Sequence, residues 1–166
     1  MACQYCELVR TGKKVYEDEK AAILLHSMPA VPGHMLIIPK QHVAILEQLP
    51  QELLKHLSAL TNKASNVLFE QLKAHGTNVV IENGTAAQQQ IPHFAINVIP
   101  RIEGDGLNLQ WQPKKLSDEQ MSMAELQLKE QAKSVVVEEE KKEPIRIEDT
   151  KAKEEVVKKE DYLTKQ

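Results

Sequence analysis

The sequence predicts an α+β fold in which short strands and one long helix share a hydrophobic core. Three observations predict it: several short apolar segments bounded by turn residues, one long segment with apolar residues at three- and four-residue spacing, and a charged C-terminal extension that lies outside the core. Short bounded apolar segments are typical of strands, and the longer spacing is typical of an amphipathic helix. We therefore expect a sheet covered by a single long helix.

The first half of the chain supplies three strands and the helix. Two short apolar segments over 14–18 and 21–25 predict a hairpin, and the apolar run over 34–39 predicts a buried central strand. The helix begins near Pro50, which suits a first helical turn, and its pattern ends at Gly76. Its predicted core positions are Leu53, Leu57, Leu60, Ala64, either Val67 or Leu68, and Leu72.

The second half supplies the remaining strands. Strands are predicted over 78–82 and 93–99, separated by a polar loop, and a last edge segment over 107–111. Ser117 and Gln120 have the spacing of a capping box at the start of a further helix.

Charge divides the chain after Leu116. Residues 1–116 carry 11 Lys and Arg against 10 Asp and Glu, whereas the last 50 residues carry 10 against 14 and contain a single aromatic residue. A segment this charged buries too little apolar surface to form a core. The predicted organisation is a domain over 1–116, a helix over 117–133 and a mostly disordered charged tail over 134–166.

Composition also excludes several classes of protein. No segment approaches the ~18 consecutive apolar residues that a membrane span needs, and the N-terminus lacks the apolar region of a secretion signal. A cytoplasmic location is therefore expected. A near-neutral domain with an acidic tail also argues against nucleic-acid binding, which normally requires a basic surface.

The predicted strand over 93–99 carries the most informative pattern. Strand alternation places His93, Ala95 and Asn97 on one face. The other face carries the apolar residues Phe94, Ile96 and Val98, which are predicted to enter the core. The first face, behind a loop that contains Gly84, is where chemistry is expected.

This segment, with Pro100 and Arg101 after it, resembles the signature of the histidine triad (HIT) family, in which three histidines alternate with apolar residues. Two of the three are replaced here, by Ala95 and Asn97. Further motifs occur in the family's order: a Cys-x-x-Cys pair at residues 3 and 6, and segments at 15–18, 32–42 and 83–87. The chain is identified as a member of this family, which implies an antiparallel sheet with one long helix and, commonly, a homodimer.

The resemblance also implies what chemistry is missing. In the family the middle histidine attacks the α-phosphate of a nucleotide substrate, and here that position is Ala95, which has no lone pair. The third position is Asn97, whose amide can donate a hydrogen bond but cannot shuttle a proton near pH 7. No catalytic residue is therefore predicted on this strand.

Two more departures concern ligand binding. Where the family has an acidic residue that binds ribose hydroxyls, this chain has His26, and where the family's phosphate loop has a glycine it has Gln88. A side chain at that glycine position hinders close approach of a phosphate. The predicted ligand-binding residues are His26, Asn83, Gln88, Gln89 and Asn97.

The metal site is complete by the same resemblance. Zinc-bearing members use the cysteine pair, the histidine after the central strand and the first triad histidine, which here are Cys3, Cys6, His42 and His93. Such a set fills a tetrahedral shell, so a structural Zn²⁺ is predicted. The alternatives are unrelated thiols and surface histidines, or a thioredoxin-like redox pair. The redox pair is less favoured because Cys3 precedes any predicted strand or helix.

The remaining histidines have predicted roles of their own. His34 is expected to be a hydrogen-bonded structural residue. His26 could reach the ligand pocket and replace the missing nucleophile, but the sequence offers it no orienting partner. His56 and His75 are expected at the solvated surface.

These observations favour a non-catalytic HIT protein, zinc-stabilised and homodimeric, that binds a nucleotide-like ligand or a protein partner through its body or tail. The alternative is a nucleoside phosphoramidate or dinucleoside polyphosphate hydrolase, or a nucleotidyl transferase, that uses unconventional residues. A nucleic-acid-associated factor is disfavoured by the charge balance.

Overall fold

A computed structural model describes residues 3–132 of the protein, and the predicted tail over 134–166 lies outside the described residues. The first of two compact units ends at Trp111, and the second begins at Gln112. The elements in chain order are α1 Gln4–Thr11, β1 Lys14–Glu17, β2 Ala21–Leu25, β3 Met35–Pro39, α2 Gln51–Leu72, β4 Gly76–Val80, β5 Ile96–Arg101 and α3 Asp118–Ala132. Short 3-10 helices occur at Leu46–Gln48 and Thr85–Ala87.

The five strands form one antiparallel sheet in the order β1-β2-β3-β5-β4. β3 lies at its centre, where Leu36 pairs with Leu24 of β2 on one side and with Asn97 of β5 on the other. All five residues of β3 are buried, which confirms the predicted central strand. The α+β fold and the antiparallel sheet are therefore as predicted.

The two faces of the sheet are covered by different helices. α2 covers one face, where Leu57, Ile37 and Val98 are fully buried in a common cluster. On the opposite face Val9 of α1 packs with Leu24 and other strand residues. The alternation predicted for β5 is confirmed, because Phe94, Ile96 and Val98 lie in the α2 cluster, whereas Ala95 packs against the α1 cluster.

Backbone hydrogen bonds cap both ends of the long helix α2. The carbonyl of Pro50 accepts hydrogen bonds from the N–H groups of Leu53 and Leu54. At the other end Lys73 adopts a left-handed conformation with φ of 54°, and its backbone N–H donates to Leu68. The helix therefore ends at Leu72, before the predicted stop at Gly76.

The helix α1 is absent from the sequence prediction. It begins after Cys3, whose side chain makes no capping hydrogen bond. Cysteine is not an N-cap residue, and a helix of eight residues is too short to show a strong period. A helix at this position places the two cysteines on neighbouring turns and brings Val9 to the sheet.

The predicted edge strand over 107–111 does not form. The Asp105 carboxylate accepts hydrogen bonds from Arg101 Nε at 2.6 Å and from the N–H of Leu107 at 2.9 Å. Arg101 also donates to the carbonyl of Leu107. The Arg101 guanidinium beside it, together with these N–H donors, holds the pKa of Asp105 well below its usual range. The N–H and the carbonyl of Leu107, at the start of the predicted segment, are therefore bound in a turn.

Outside this unit, Ser117 and Gln120 form the predicted capping box. The Ser117 hydroxyl accepts from the Gln120 N–H at 3.2 Å, and the Gln120 side chain accepts from the Ser117 N–H at 3.0 Å. Helix α3 follows directly. No helix within residues 3–132 is long and apolar enough to cross a membrane.

His75 is exposed as predicted, whereas His56 lies at the surface but has a bonding partner there. His56 Nε2 lies 2.8 Å from Asp18 Oδ2 and is only partly exposed. The other oxygen of Asp18 accepts from the N–H groups of Lys20 and Ala21, each at 2.8 Å. His56 thus connects α2 to the turn of the β1–β2 hairpin.

Candidate metal centre and adjoining cavity

The four predicted metal ligands meet at one point on the α1 side of the sheet. Cys3 and Cys6 come from the start of α1, His42 follows β3, and His93 precedes β5. Their four candidate ligand atoms all lie within 4.8 Å of one another. No other group of three or more His, Cys, Asp or Glu residues that could hold a metal is found among residues 3–132.

The distances within the cluster match a zinc shell. Sγ of Cys3 and Sγ of Cys6 each lie 3.5 Å from Nδ1 of His93, and Sγ of Cys6 lies 3.4 Å from Nδ1 of His42. A tetrahedron with a Zn–S bond of about 2.3 Å and a Zn–N bond of about 2.0 Å has an S···N edge of about 3.5 Å. Three of the six distances between ligand atoms therefore match a tetrahedral zinc shell, and all six lie within 4.8 Å.

His93 is oriented for metal binding by the backbone. Its Nε2 lies 3.0 Å from the carbonyl oxygen of Pro39, which can only accept, so Nε2 carries the proton and Nδ1 presents its lone pair to the thiols. Burial of the ring lowers the pKa of His93, and the neighbouring His42 lowers it further. The ring is therefore held in the neutral form that a metal requires.

The cysteines are free and have the chemistry of a metal pair. Both cysteines are free, and burial, a hydrogen bond to Cys3 and the charge of Cys3 raise the pKa of the Cys6 thiol. Because Cys3 begins α1, the reason given above against a redox pair does not hold. The two histidine nitrogens beside the sulfurs favour metal binding instead, since both of them are ligand atoms.

A cavity of about 400 Å³ adjoins the metal centre and shares His93 with it. Leu36 of β3, Asn97 of β5 and Ala95, which directly precedes β5, line it. The other described lining residues come from α1, from the loop after β2 and from the loop before β5: Gln4, Tyr5, His26, Ser27, Met28, Ala30, His34, Glu82, Gln89, Gln90 and Ile91. The cavity thus lies on the face where the sequence predicted chemistry.

The side chains of Asn97 and His34 form a hydrogen bond with each other in the cavity wall. The N–H of Ala30 donates to Nδ1 of His34 at 3.2 Å, so His34 Nε2 carries the proton and donates to Asn97 Oδ1 at 3.0 Å. The Asn97 amide nitrogen faces the carbonyl of Val80 at 3.5 Å. Burial lowers the pKa of His34, a shift that the Asn97 hydrogen bond partly opposes and that His26 adds to. The predicted structural role of His34 is confirmed.

His26 has the orienting partners that its sequence context does not reveal. The Met28 N–H donates to its Nδ1 at 3.0 Å, and its ring stacks on His34 with centroids 4.5 Å apart and planes 15° apart. Because Nδ1 accepts a hydrogen bond, the proton of the neutral ring is on Nε2. His26 lines the cavity without a free lone pair.

Two of the other predicted ligand-binding residues do not line the cavity. The Asn83 side chain accepts from the N–H of Leu46 at 2.8 Å and donates to Glu47 at 2.8 Å. Gln88 is exposed and ends a 3-10 helix in the left-handed conformation, with φ of 70°. This is the conformation that glycine adopts without strain.

Gln89 does line the cavity, but its amide binds the protein itself. Its oxygen accepts from the N–H of Gly84 at 2.8 Å, and its nitrogen donates to the carbonyls of Ala44 and Ile91 at 2.8 and 3.0 Å. The Gln89 side chain therefore holds the loop before β5 together. Its predicted contact with a ligand stays a prediction.

The sequence prediction missed Gln4, Tyr5 and Glu82. Tyr5 packs edge-on against His93, with centroids 6.1 Å apart, and burial and the charge of Glu82 raise its pKa. Gln4 and Tyr5 stand between the two cysteines in the sequence, so the signal was present in the Cys-x-x-Cys spacing. It becomes informative only once α1 is known.

The fold and this site define a class of HIT proteins with a Cys2His2 cluster. The family model described as "HIT domain" matches residues 7–104, so the chain belongs to the HIT family. The recognition made from the degenerate triad strand is therefore confirmed.

Curated proteins with similar sequences were also found. An uncharacterized HIT-like protein of Methanocaldococcus jannaschii is 35% identical over 107 residues, which cover 63% of this chain and 82% of that protein. An adenylylsulfatase of Arabidopsis thaliana is 34% identical over 63% of this chain and 55% of its own length. An adenosine 5′-monophosphoramidase of Saccharomyces cerevisiae is 32% identical over 66% of this chain and 70% of its own length.

Solved structures of HIT proteins are also similar to this fold. A zinc-bound HIT family protein of Mycobacterium smegmatis is 31% identical with a TM-score of 0.62, covering 80% of this chain and 98% of that one. A histidine triad nucleotide-binding protein of Candida albicans is 26% identical with a TM-score of 0.71, covering 81% of this chain and 100% of that one.

The metal cluster predicts how the protein responds to loss of a ligand. The protein purified without chelator should contain one zinc per chain by elemental analysis, and Cys6→Ser should lose it. Because a bound metal stabilises only the folded state, chelation should lower the Tm by more than about 5 °C. His75→Asn, which changes an exposed histidine, should keep both metal and Tm. A metal-free protein, or a Tm unmoved by chelation, would contradict the assignment.

The left-handed residue Gln88 makes a second prediction. Gln88→Gly should raise the free energy of unfolding by about 1 kcal/mol, because glycine adopts this φ without strain. Gln90→Gly, a neighbouring exposed position without positive φ, should instead lower it by a few tenths, ~0.5 kcal/mol. Urea denaturation measures both, and equal effects at the two positions would exclude strain at Gln88.

Proposed function

We propose that this chain is a non-catalytic HIT protein that carries a structural Zn²⁺ and binds a nucleotide-like ligand in the cavity beside β5. The observation that carries the proposal is the methyl group of Ala95 on the cavity wall, at the position where the family resemblance places the nucleophile. A protein partner bound through residues 134–166 stays a prediction.

The neighbouring side chains do not replace the missing nucleophile. Both nitrogens of His34 are hydrogen-bonded, and His26 accepts at Nδ1 and is protonated at Nε2. The hydroxyls of Ser27 and Tyr5 also line the cavity, but among the described contacts neither is hydrogen-bonded to a base. An unactivated hydroxyl or a protonated nitrogen is a poor nucleophile.

The proposal of a structural zinc rests on the donor set and its spacing. Two sulfurs and two imidazole nitrogens fill a tetrahedral shell and leave no position for a reacting water. The zinc-bound relative from Mycobacterium smegmatis supports the choice of metal. The ion would connect α1 to the segments that flank β3 and β5.

A second candidate is a nucleotide hydrolase or transferase that uses unconventional residues. The adenylylsulfatase and the adenosine 5′-monophosphoramidase among its relatives favour it. In this candidate His26 would be the nucleophile. It could attack through Nε2 only after its proton moved to Nδ1, which would break the hydrogen bond from Met28.

The two candidates predict different results in a turnover assay. Zinc-loaded protein incubated with adenosine 5′-phosphoramidate, adenylyl sulfate or a dinucleoside polyphosphate should release no product and should show no nucleotidyl adduct by mass spectrometry. A Tm measurement on the same sample provides the folding control. Turnover that His26→Ala abolishes would overturn the proposal in favour of the second candidate.

The Ala95→His and Asn97→His double variant tests why chemistry is missing. Restored turnover would mean that the cavity still binds nucleotides and lacks only the reactive groups. An inactive variant that remains folded would mean that the substitutions at His26 and Gln88 have removed nucleotide binding too. The single variant Ala95→His, which keeps the bond between His34 and Asn97, separates the two positions.

We also propose that the protein forms a homodimer through the edge strand β4. β4 is the last strand of the sheet, and Val79 on it is half exposed. Phe69 and Leu72 near the end of α2 are likewise exposed apolar residues. Such an apolar edge supports pairing with a second copy.

A matched pair of edge variants tests the dimer. Val79→Lys should weaken it at least tenfold, because a buried lysine opposes strand pairing. Val15→Lys on β1, the opposite edge strand with the same exposure, should leave it unchanged. Sedimentation equilibrium measures both, and a monomeric wild-type protein would exclude the dimer.

A further inference from the structure

The cavity contains hydrogen-bonding groups and a stacked ring pair but no cationic side chain. Among its described lining residues there is no lysine or arginine, and the carboxylate is that of Glu82. A phosphate monoester carries nearly two negative charges at neutral pH, and burying them without a positive partner is costly. The charge of the cavity therefore opposes a phosphorylated ligand.

Its histidines do not supply the missing positive charge. The N–H groups of Met28 and Ala30 donate to Nδ1 of His26 and of His34. An imidazolium has no acceptor nitrogen, so each of these contacts requires a neutral ring. His93 presents its Nδ1 to the cysteines and its Nε2 to Pro39.

Four backbone N–H groups of the loop before β5 are not free to bind an anion. Its N–H groups at Gly84, Ala87, Gln88 and Gln89 all donate within the loop, at distances from 2.8 to 3.2 Å. A phosphate-binding loop needs such groups free and convergent. Here the Gln89 side chain and two loop carbonyls accept these four N–H groups, so the loop donors that remain beside the cavity are the N–H groups of Gln90 and Ile91.

The groups that remain suit an uncharged ring compound with hydroxyl groups. His34 is only 6% exposed, so His26 is the more accessible ring of the stacked pair and offers a flat surface to a heterocycle. Glu82 and Gln90 can accept hydrogen bonds from hydroxyls. A cavity of about 400 Å³ is of the size used for small ligands.

We infer that the cavity binds an unphosphorylated nucleoside in preference to the corresponding 5′-phosphate. This inference rests on the proposed function and narrows it, because it names which nucleotide-like molecule fits. The preference comes from the carboxylate of Glu82, from the neutral His26–His34 pair and from the lack of a lysine or arginine among the described lining residues.

Calorimetry on the zinc-loaded full chain tests the inference with two probe pairs, adenosine with adenosine 5′-monophosphate and uridine with uridine 5′-monophosphate. For at least one pair the nucleoside should bind tenfold or more tightly than its monophosphate. Glu82→Gln should narrow that ratio several-fold, because it removes the negative charge. Glu70→Gln, an exposed carboxylate on α2, should leave the ratio unchanged, since α2 covers the opposite face of the sheet.

A further variant tests the stacking surface. His26→Ala should weaken nucleoside binding about tenfold with little change in Tm, since a ring contact is lost while His34 keeps its hydrogen bonds. Monophosphates that bind as tightly as the nucleosides or more tightly would overturn the inference and leave the proposed function standing. Absence of binding by all four probes at millimolar concentration would overturn both.

Discussion

The hydrogen bond from His93 Nε2 to the carbonyl of Pro39 is the contact on which the metal centre and the cavity both depend. It fixes the ring at the end of β3 and turns Nδ1 toward two sulfurs that are about 90 residues away in the sequence. The ring is 1% exposed, so its polar atoms need these partners. Tyr5 packs against the same ring and forms part of the cavity wall. One side chain thus positions α1 on the sheet.

The shared ring makes the two sites depend on each other. Gln4 and Tyr5 line the cavity and lie between Cys3 and Cys6, so the wall of the cavity is placed by the same residues that form the metal cluster. Whatever stabilises α1 against the sheet also stabilises the cavity. This gives a physical reason for a histidine at position 93 in a chain whose other two triad positions are Ala95 and Asn97.

Much of the fold follows from local patterns, and much of the site does not. The central strand and α2 were predictable because burial imposes a visible period on Leu53, Leu57 and their successors. The end of the sheet was predicted wrongly because Asp105 binds backbone groups that the pattern alone leaves for a strand. The metal set could be named only through the family resemblance, since His42 and His93 have no local spacing that joins them to the cysteines. The partners of His26, which are the Met28 N–H and the His34 ring, depend on the conformation of the loop after β2, and no residue pattern in the sequence predicts that conformation.

The replacement of the third triad histidine by Asn97 changes more than one reactive group. Its oxygen accepts a hydrogen bond from His34 Nε2, and this bond together with the Ala30 N–H fixes the tautomer of the ring on which His26 stacks. A histidine at 97 would have to compete for the same proton, whereas a histidine at 95 would only occupy space beside Leu36. The nitrogens of His34 and the side-chain oxygen of Asn97 are therefore all engaged in hydrogen bonds within the protein. Side chains paired in this way can support a ligand by shape and stacking, whereas attack on a ligand needs a free lone pair and an activating neighbour.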